Sequence, residues 1–279
     1  MQYTTTSAGV EMPKIIYGTA WKKERTTELV IQAVQAGFRG IDTACQPKHY
    51  AEERVGEALM PLKKEGFKRE DLYIQTKFTP LAGQDPNNIP YDKNASLETQ
   101  VADSFTRSKK NLQTDYVDTL LLHSPLFPHA NLLSVYRAME KIQQDGGALQ
   151  LGISNCYDLG VLKRLYEDVQ IKPAVVQNRF YPDSDFDKEL RAWCDAHAVI
   201  YQSFWSLTAN PYILASEVVV NLAKEYNKTQ AQIFFNFLSL EGIVPLSGTT
   251  SQTHMRQDLD IFSFELSLSQ RSEIRALLV

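Results

Sequence analysis

The chain alternates between two kinds of segment. Eight short apolar runs of strand length occur at Lys14–Tyr17, Gly40–Asp42, Leu72–Lys77, Val117–Leu122, Leu149–Ile153, Ala174–Gln177, Val199–Ser203 and Ile243–Leu246. Longer amphipathic segments lie between them. In Thr27–Ala36, Leu97–Leu112, Leu132–Gln144, Leu159–Val169 and Lys188–Ala196 the apolar residues return at three- and four-residue steps, which predicts helices with one buried face. Parallel strands need a crossover connection, usually helical, so strand and helix in alternation predict parallel βαβ units. Eight such units predict a closed (β/α)8 TIM barrel, with an open doubly wound sheet as the alternative. The strand runs are continuous in apolar character, as expected where one face fills the barrel and the other meets the helices. Ahead of them, Ser7-Ala8-Gly9 between Tyr3–Thr6 and Val10–Met12 predicts an N-terminal β-hairpin placed to plug one end.

Composition narrows the partners. The 29 basic and 33 acidic residues leave a net charge of -4, which gives no general attraction to nucleic acid or an acidic membrane surface. No run approaches 18 uncharged apolar residues and the first residues lack a signal-peptide pattern, so the expectation is a cytoplasmic protein. Cys45, Cys156 and Cys194 form no CxxC pair, which fits a reducing compartment. The five histidines are scattered without HExxH spacing, so no metal is expected. No Ser/Gly linker or charge shift divides the chain, which predicts a single domain over residues 1–279, acting as a monomer or weak homodimer.

In a (β/α)8 barrel the C-terminal strand ends converge on one mouth, where the chemistry sits. Here they carry Asp42, Lys77, His123, Ser154-Asn155 and Gln177. Each has a bland alternative: a helix cap for Asp42, a surface pair for Lys77, a satisfied core histidine for His123. Polar residues ending five successive apolar strands are together better explained by a site.

These residues lie in GFRGIDTA (Gly37–Ala44), YIQTKF (Tyr73–Phe78), LLLHSP (Leu120–Pro125), LGISN (Leu151–Asn155) and VVQNRF (Val175–Phe180). In order and spacing the blocks resemble the signature blocks of the aldo-keto reductases across almost the whole chain. The resemblance implies a carbonyl reductase that transfers hydride from a nicotinamide cofactor to an aldehyde or ketone, with a tetrad of Asp42, Tyr50, Lys77 and His123. The chemistry is coherent. Hydride addition leaves charge on the carbonyl oxygen, which an acid must protonate. A tyrosine has an unperturbed pKa near 10, about three units above neutrality, so an ammonium that favours phenolate would ease proton release. Lys77 would be that ammonium, Asp42 its counterion and His123 the group that orients the carbonyl. The loop after Asp42 is longer than the family's: Pro47 stands five residues on, and counting back from Val55-Gly56 puts His49 at the expected place with Tyr50 one later. Tyr50 is taken as the acid and His49 as the alternative.

There is no G-x-G-x-x-G and no P-loop. The loops after the last two barrel strands, Phe204–Asn210 and Ser247–Ser251, suit phosphate, since such loops usually form the barrel's anion site; simple helix capping by their hydroxyls is the alternative. By resemblance, Ser154, Asn155 and Gln177 would bond the nicotinamide carboxamide and Phe204 would stack on the ring. Ser206, Leu207 and Asn210 would hold the pyrophosphate, with Thr19, Ala20 and Asp42 near the ribose and nicotinamide. Ser247, Gly248, Thr249 and His254 would take the 2′-phosphate, and Gln257 and Asp258 the adenine. Where many members carry Lys-Ser and an arginine, this chain has Leu246-Ser247 and His254. The expectation is therefore NADPH (NADP+) with a weakened preference over NADH.

Trp21, Phe78, Phe127 and Trp205 would wall a substrate pocket, with Leu126 and Tyr181 nearby, and the long loops Thr79–Asn94 and Ser124–Asn131 are candidate specificity loops. Apolar walls suggest small aldehydes, α-dicarbonyls or aromatic ketones as substrates. Cys45 and Cys156 sit beside site positions and are read as buried, unreactive thiols. Two other functions fit parts of the pattern: a cofactor-sensing regulatory subunit with little turnover, and a barrel aldolase with Lys77 as Schiff base. The chain ends at Val279, soon after a helix expected over Leu268–Leu278. It thus lacks most of the family's extended C-terminal loop, which predicts an open mouth and broad specificity.

Overall fold

The computed structural model describes residues 2–279. Two strands, β1 (Tyr3–Thr5) and β2 (Glu11–Pro13), pair antiparallel as a hairpin. Eight parallel strands then close a barrel: β3 (Ile16–Gly18), β4 (Gly40–Asp42), β5 (Tyr73–Phe78), β6 (Val117–Leu122), β7 (Ala148–Ser154), β8 (Val175–Arg179), β9 (Ile200–Phe204) and β10 (Val244–Ser247). β10 pairs with β3 to complete the ring, which excludes the open sheet. The hairpin and most strands shift by one or two residues from the sequence expectation, since periodicity fixes the centre of an element better than its end.

The helices α1 (Thr26–Ala36), α2 (Glu52–Lys64), α3 (Leu97–Leu112), α4 (His129–Gln144), α5 (Leu159–Asp168) and α6 (Lys188–Ala196) follow β3 to β8 in turn. After β9 come α7 (Pro211–Leu214), α8 (Glu217–Tyr226) and α9 (Gln230–Leu240); α10 (Gln252–Leu259) and α11 (Leu268–Arg275) complete the chain. Hydroxyl or carboxylate N-caps start α3, α5, α8, α9, α10 and α11, at Ser96, Asp158, Ser216, Thr229, Ser251 and Ser267. Each such cap contributes about 1 kcal/mol by satisfying an orphan N–H. No helix among the described residues is long and apolar enough to cross a membrane.

Between strands and helices lies the larger core, with Tyr17, Val30, Phe38, Leu122 and Phe234 fully buried. A smaller cluster inside the barrel joins Ile16, Tyr73, Leu121, Val175 and Val244 to Met12 of the hairpin, so the hairpin does close one end. The rest of the interior is not apolar. Asp42, Gln75, Thr119 and Gln150 are lateral partners across β4, β5, β6 and β7. They are linked through buried hydrogen bonds. Thr6 Oγ1 donates to Gln150 Oε1 (2.5 Å), and Gln150 Nε2 donates to Thr119 Oγ1 (2.8 Å). Thr119 Oγ1 bonds the Tyr73 hydroxyl (2.5 Å), which donates to Gln75 Oε1 (3.1 Å). Gln75 Nε2 in turn donates to Asp42 Oδ1 (2.7 Å). The apolar filling expected from the strand runs is thus replaced by side chains that satisfy one another, the condition under which burial of polar groups is tolerated.

α2 and α3 pack backbone to backbone at Gly56. A Cβ there would stand 1.9 Å from the Asn111 carbonyl oxygen. Gly56→Ala must push the two helices apart, and the expected loss is about 3 kcal/mol, the upper range for overpacking. Urea unfolding of the variant checks it; a midpoint within error of the parent would show that the helices separate freely.

Candidate active site

The floor of the barrel mouth is an ion pair. Residues 73, 75 and 77 share one face of β5, and Lys77 Nζ reaches Asp42 Oδ1 on neighbouring β4 at 2.5 Å and the Thr43 carbonyl at 2.9 Å. Both charges are buried. Asp42 Oδ1 also accepts from Gln75 Nε2 (2.7 Å) and Gln177 Nε2 (3.0 Å). Burial pushes the Lys77 ammonium down, against the pull of Asp42 and then of Glu52. Glu52 lies on the far side of β5, held by Thr76 and by Asn111 Nδ2 at 2.9 Å.

Tyr50 stands above the pair, its ring centroid 5.1 Å from Lys77 Nζ. Burial, and then the Asp42 carboxylate, push its phenol well above the ordinary value. This differs from the expectation that Lys77 would draw it toward phenolate: the ammonium is already compensated by Asp42. The phenol is therefore held protonated and able to give a proton. His123, at the end of β6, packs edge-on to Tyr50 with centroids 6.0 Å apart. Its Nδ1 bonds Thr79 Oγ1 at 2.6 Å, and a Thr79 hydroxyl that donates leaves the imidazole proton on Nε2. Burial, then Lys77, then His49 hold this imidazole well below its ordinary value, so it is neutral at neutral pH. His49 is further out, its ring tilted on Trp21 with centroids 4.1 Å apart.

These groups open into a cavity of about 740 Å³ that runs from the ion pair to the β10 loop and α10. Of the predicted residues it is lined by Ala20, Trp21, Asp42, Tyr50, His123, Ser154, Asn155, Gln177, Phe204, Trp205, Ser206, Leu207, Ser247, Gly248, Thr249, His254, Gln257 and Asp258. Lys77 lies beneath them. Besides Lys77, four of the residues assigned to the site stay off the cavity wall. Thr19 is buried and donates through Oγ1 to the Asp42 carbonyl (2.8 Å), so it braces β4. Asn210 is buried and ties the Phe180 and Ser206 carbonyls, both at 2.8 Å, which shapes the β9 loop from below. Phe78 follows Lys77 on β5 and so faces the helices, packed against Tyr91 at 5.6 Å. Phe127 is 72% exposed and clear of the cavity.

Several lining residues escape a reading of strand ends. Lys22 Nζ donates to the Gly248 carbonyl across the cavity. Its position just after Trp21 was the available signal. Arg179, the last residue of β8, stacks its guanidinium 4.3 Å from the Trp205 ring centroid and 5.2 Å from that of Tyr181. It places a fixed charge where apolar walls were expected. The rim also carries backbone strain that sequence does not announce: Trp21, Asn155 and Trp205 have φ of 64°, 51° and 57°. Asparagine tolerates that region, whereas a tryptophan there costs on the order of 1–3 kcal/mol and persists only where surroundings impose it. For Trp21 these include the bond from its N–H to the His49 carbonyl (2.7 Å).

The remaining expected groups form a continuous surface. Ser154 Oγ donates to the Gln177 carbonyl (2.7 Å) and Asn155 Nδ2 to the His123 carbonyl (2.8 Å), which locks both strand ends together. The thiols of Cys45 and Cys156 are buried, and burial pushes the Cys156 thiol up to about 12, as expected for unreactive groups. Lys77 Nζ is likewise enclosed between Asp42 and Thr43, with no open approach for a carbonyl carbon, which speaks against the Schiff-base reading.

The chain as a whole is similar to known proteins. Residues 14–279 match the Aldo/keto reductase family. A glyoxal reductase of Bacillus subtilis (strain 168) is 33% identical over 272 residues, spanning 96% of this chain and 90% of the relative. A methylglyoxal reductase, DkgA of Yersinia pestis, is 29% identical over 269 residues, spanning 95% and 88%. Among solved structures, an aldo/keto reductase from Brucella melitensis superposes with a TM-score of 0.83 at 25% identity, covering 99% of both chains.

Asp258 gives the site a pH signature. Burial pushes its carboxyl from 3.8 up to about 6, opposed by the bond from Ser247 Oγ (2.6 Å) and by His254. A folded-state value above the unfolded one means the contribution to stability is full below 3.8 and is lost as pH rises through 6. Asp258→Asn keeps an acceptor for Ser247 without the charge. It should be more stable than the parent by about 3 kcal/mol at neutral pH, with the difference vanishing near pH 4. Urea unfolding at several pH values tests this, and a difference independent of pH would contradict it.

Proposed function

This chain belongs to the aldo/keto reductase family, and we propose that it reduces small α-dicarbonyls and related aldehydes with NADPH, using Tyr50 as the proton donor. The observation that carries the reading is the buried Lys77–Asp42 pair at the foot of a cavity that presents a protonated Tyr50 beside a neutral His123. The residues fit a nicotinamide nucleotide: Gln177, Ser154 and Asn155 line one wall, Phe204 offers a half-buried ring face, and the β10 loop with the start of α10 forms the far end. When bound, that cofactor supplies a hydride to the carbonyl carbon.

The protein's own part is to place and to protonate. His123 Nε2 with its proton would hold the carbonyl oxygen, and Tyr50 would pass its proton to that oxygen as charge develops. The Lys77 ammonium lies below, 5.1 Å from the Tyr50 ring centroid, with its charge held by Asp42. Asp42 keeps that ammonium from being an unpaired charge. Two relatives are named for glyoxal and methylglyoxal, and a cavity with His49, Arg179 and Trp21 at its outer part offers donors for a second carbonyl oxygen.

Tyr50→Phe should lower reduction of methylglyoxal by about 10²–10⁴-fold, the usual worth of a positioned acid, while the nucleotide still binds. Near-normal turnover would remove Tyr50 from the role and point to His49. At the far end, His254 stands where a stronger cation would pair with a 2′-phosphate, and Arg256 lies off the cavity. Lys22 supplies an ammonium, engaged by the Gly248 carbonyl. The expected preference for NADPH over NADH, read as a ratio of kcat/KM, is below about a hundredfold. A ratio of several hundred would show that Lys22 or another group restores the missing charge.

A further inference from the structure

The orientation of one amide in the cavity wall is dictated from behind. Gln177 Nε2 donates to Asp42 Oδ1 (3.0 Å) and to Gln202 Oε1 (2.9 Å), so both of its hydrogens are engaged. Gln75 Nε2 does the same, at 2.7 and 2.9 Å. Gln202 is itself held, its Nε2 donating to Gln75 Oε1 (2.9 Å) and to Met12 Sδ (3.1 Å). A carboxylate of an ion pair only accepts, so Asp42 draws the nitrogens of Gln75 and Gln177 toward itself. Turning the Gln177 amide over would set its oxygen against Asp42 Oδ1 and Gln202 Oε1 together. Gln202 touches neither the cavity nor the ion pair, and it is fully buried.

Gln177 lines the cavity with only Oε1 free. It can read a ligand as an acceptor and in no other way. We infer that Gln202 is a positioning residue for cofactor recognition: by fixing the Gln177 amide it makes Oε1 a reader of the N–H of a carboxamide on the ring bound there. This rests on the nicotinamide reading above, since that ring carries such a group. It adds that discrimination is set by a residue of β9 that never meets the ligand.

The test uses direct binding. Trp21 and Trp205 line the cavity, so nucleotide binding can be followed by quenching of protein fluorescence. NADP+ is compared with its 3-acetylpyridine analogue, in which a methyl group replaces the amide nitrogen. The parent should bind NADP+ about fivefold to tenfold more tightly than the analogue, the worth of one hydrogen bond with a buried acceptor. In Gln202→Met the Gln177 amide keeps Asp42 as its single anchor, and the ratio should fall at least about twofold, with affinity for the analogue nearly unchanged. Gln150→Met removes an amide from the same buried network but beyond Thr119 and Tyr73. It should keep the parental ratio even where it lowers thermal stability.

A parental ratio in Gln202→Met overturns the inference, as does an equal loss of the ratio in Gln150→Met, which would mark a general effect of loosening the interior. If Gln202→Met does not fold, Gln75→Met frees Gln202 to turn and carries the same expectation; an unchanged ratio there is equally decisive against it. Absence of binding of either nucleotide to the parent protein would instead remove the nicotinamide reading, and this inference with it.

Discussion

An ammonium and a carboxylate sit in contact inside a barrel, and the arrangement around them follows from that. Neither Lys77 nor Asp42 could be buried alone; loss of one partner from such a pair costs on the order of 3–5 kcal/mol. The pair is poor evidence of stability, because an apolar pair of the same shape would often serve better. What it does is impose direction. Because Asp42 only accepts, the amides of Gln75 and Gln177 must present nitrogen to it, Gln202 must present oxygen to both, and the interior becomes a set of dipoles aimed at one charge. Tyr50 and His123 then occupy the space above with their protonation states governed chiefly by burial.

The fold was legible because its signal is repetitive. Eight strand runs separated by helical periodicity leave few topologies, and a parallel closed barrel is the economical one. That Asp42, Lys77 and His123 meet at one mouth was legible for a related reason: a polar residue that ends an apolar strand has few places to go. Phe78 shows where a coarse reading fails, since alternation along β5 sends residue 78 to the opposite face from Lys77, and a count by twos corrects it. Phe127 failed differently, because the direction of a loop side chain is not encoded by any period. Gln75, Gln150 and Gln202 were hidden inside runs that read as apolar overall. Their significance depends on hydrogen bonds that cross from strand to strand, which a single sequence does not display. Lys22 and Arg179 were missed because a cation near a strand end looks like any solvated charge until its neighbours are known.

The rim is built more tightly than an open mouth requires. Trp21 and Trp205 are held in left-handed conformations, one bonded to the loop of His49, the other at the turn above Ser206. Arg179 lies against the Trp205 face, and Trp21 against His49. Two large aromatic side chains, 57% and 47% exposed, are thus fixed in place without burial. Such preorganisation lowers the entropy lost when a flat ligand settles between them.

The hairpin gives the barrel a closed base: Met12 enters the inner cluster and Thr6 bonds Gln150 at the bottom of the axis. The vessel is therefore a cup and not a channel. Whatever rests against Gln177 and Phe204 must enter by the rim on which Trp21 and Trp205 stand, and must leave the same way. A ligand at the outer end bars that passage to one lying deeper. Two ligands held at different depths would share that one entrance.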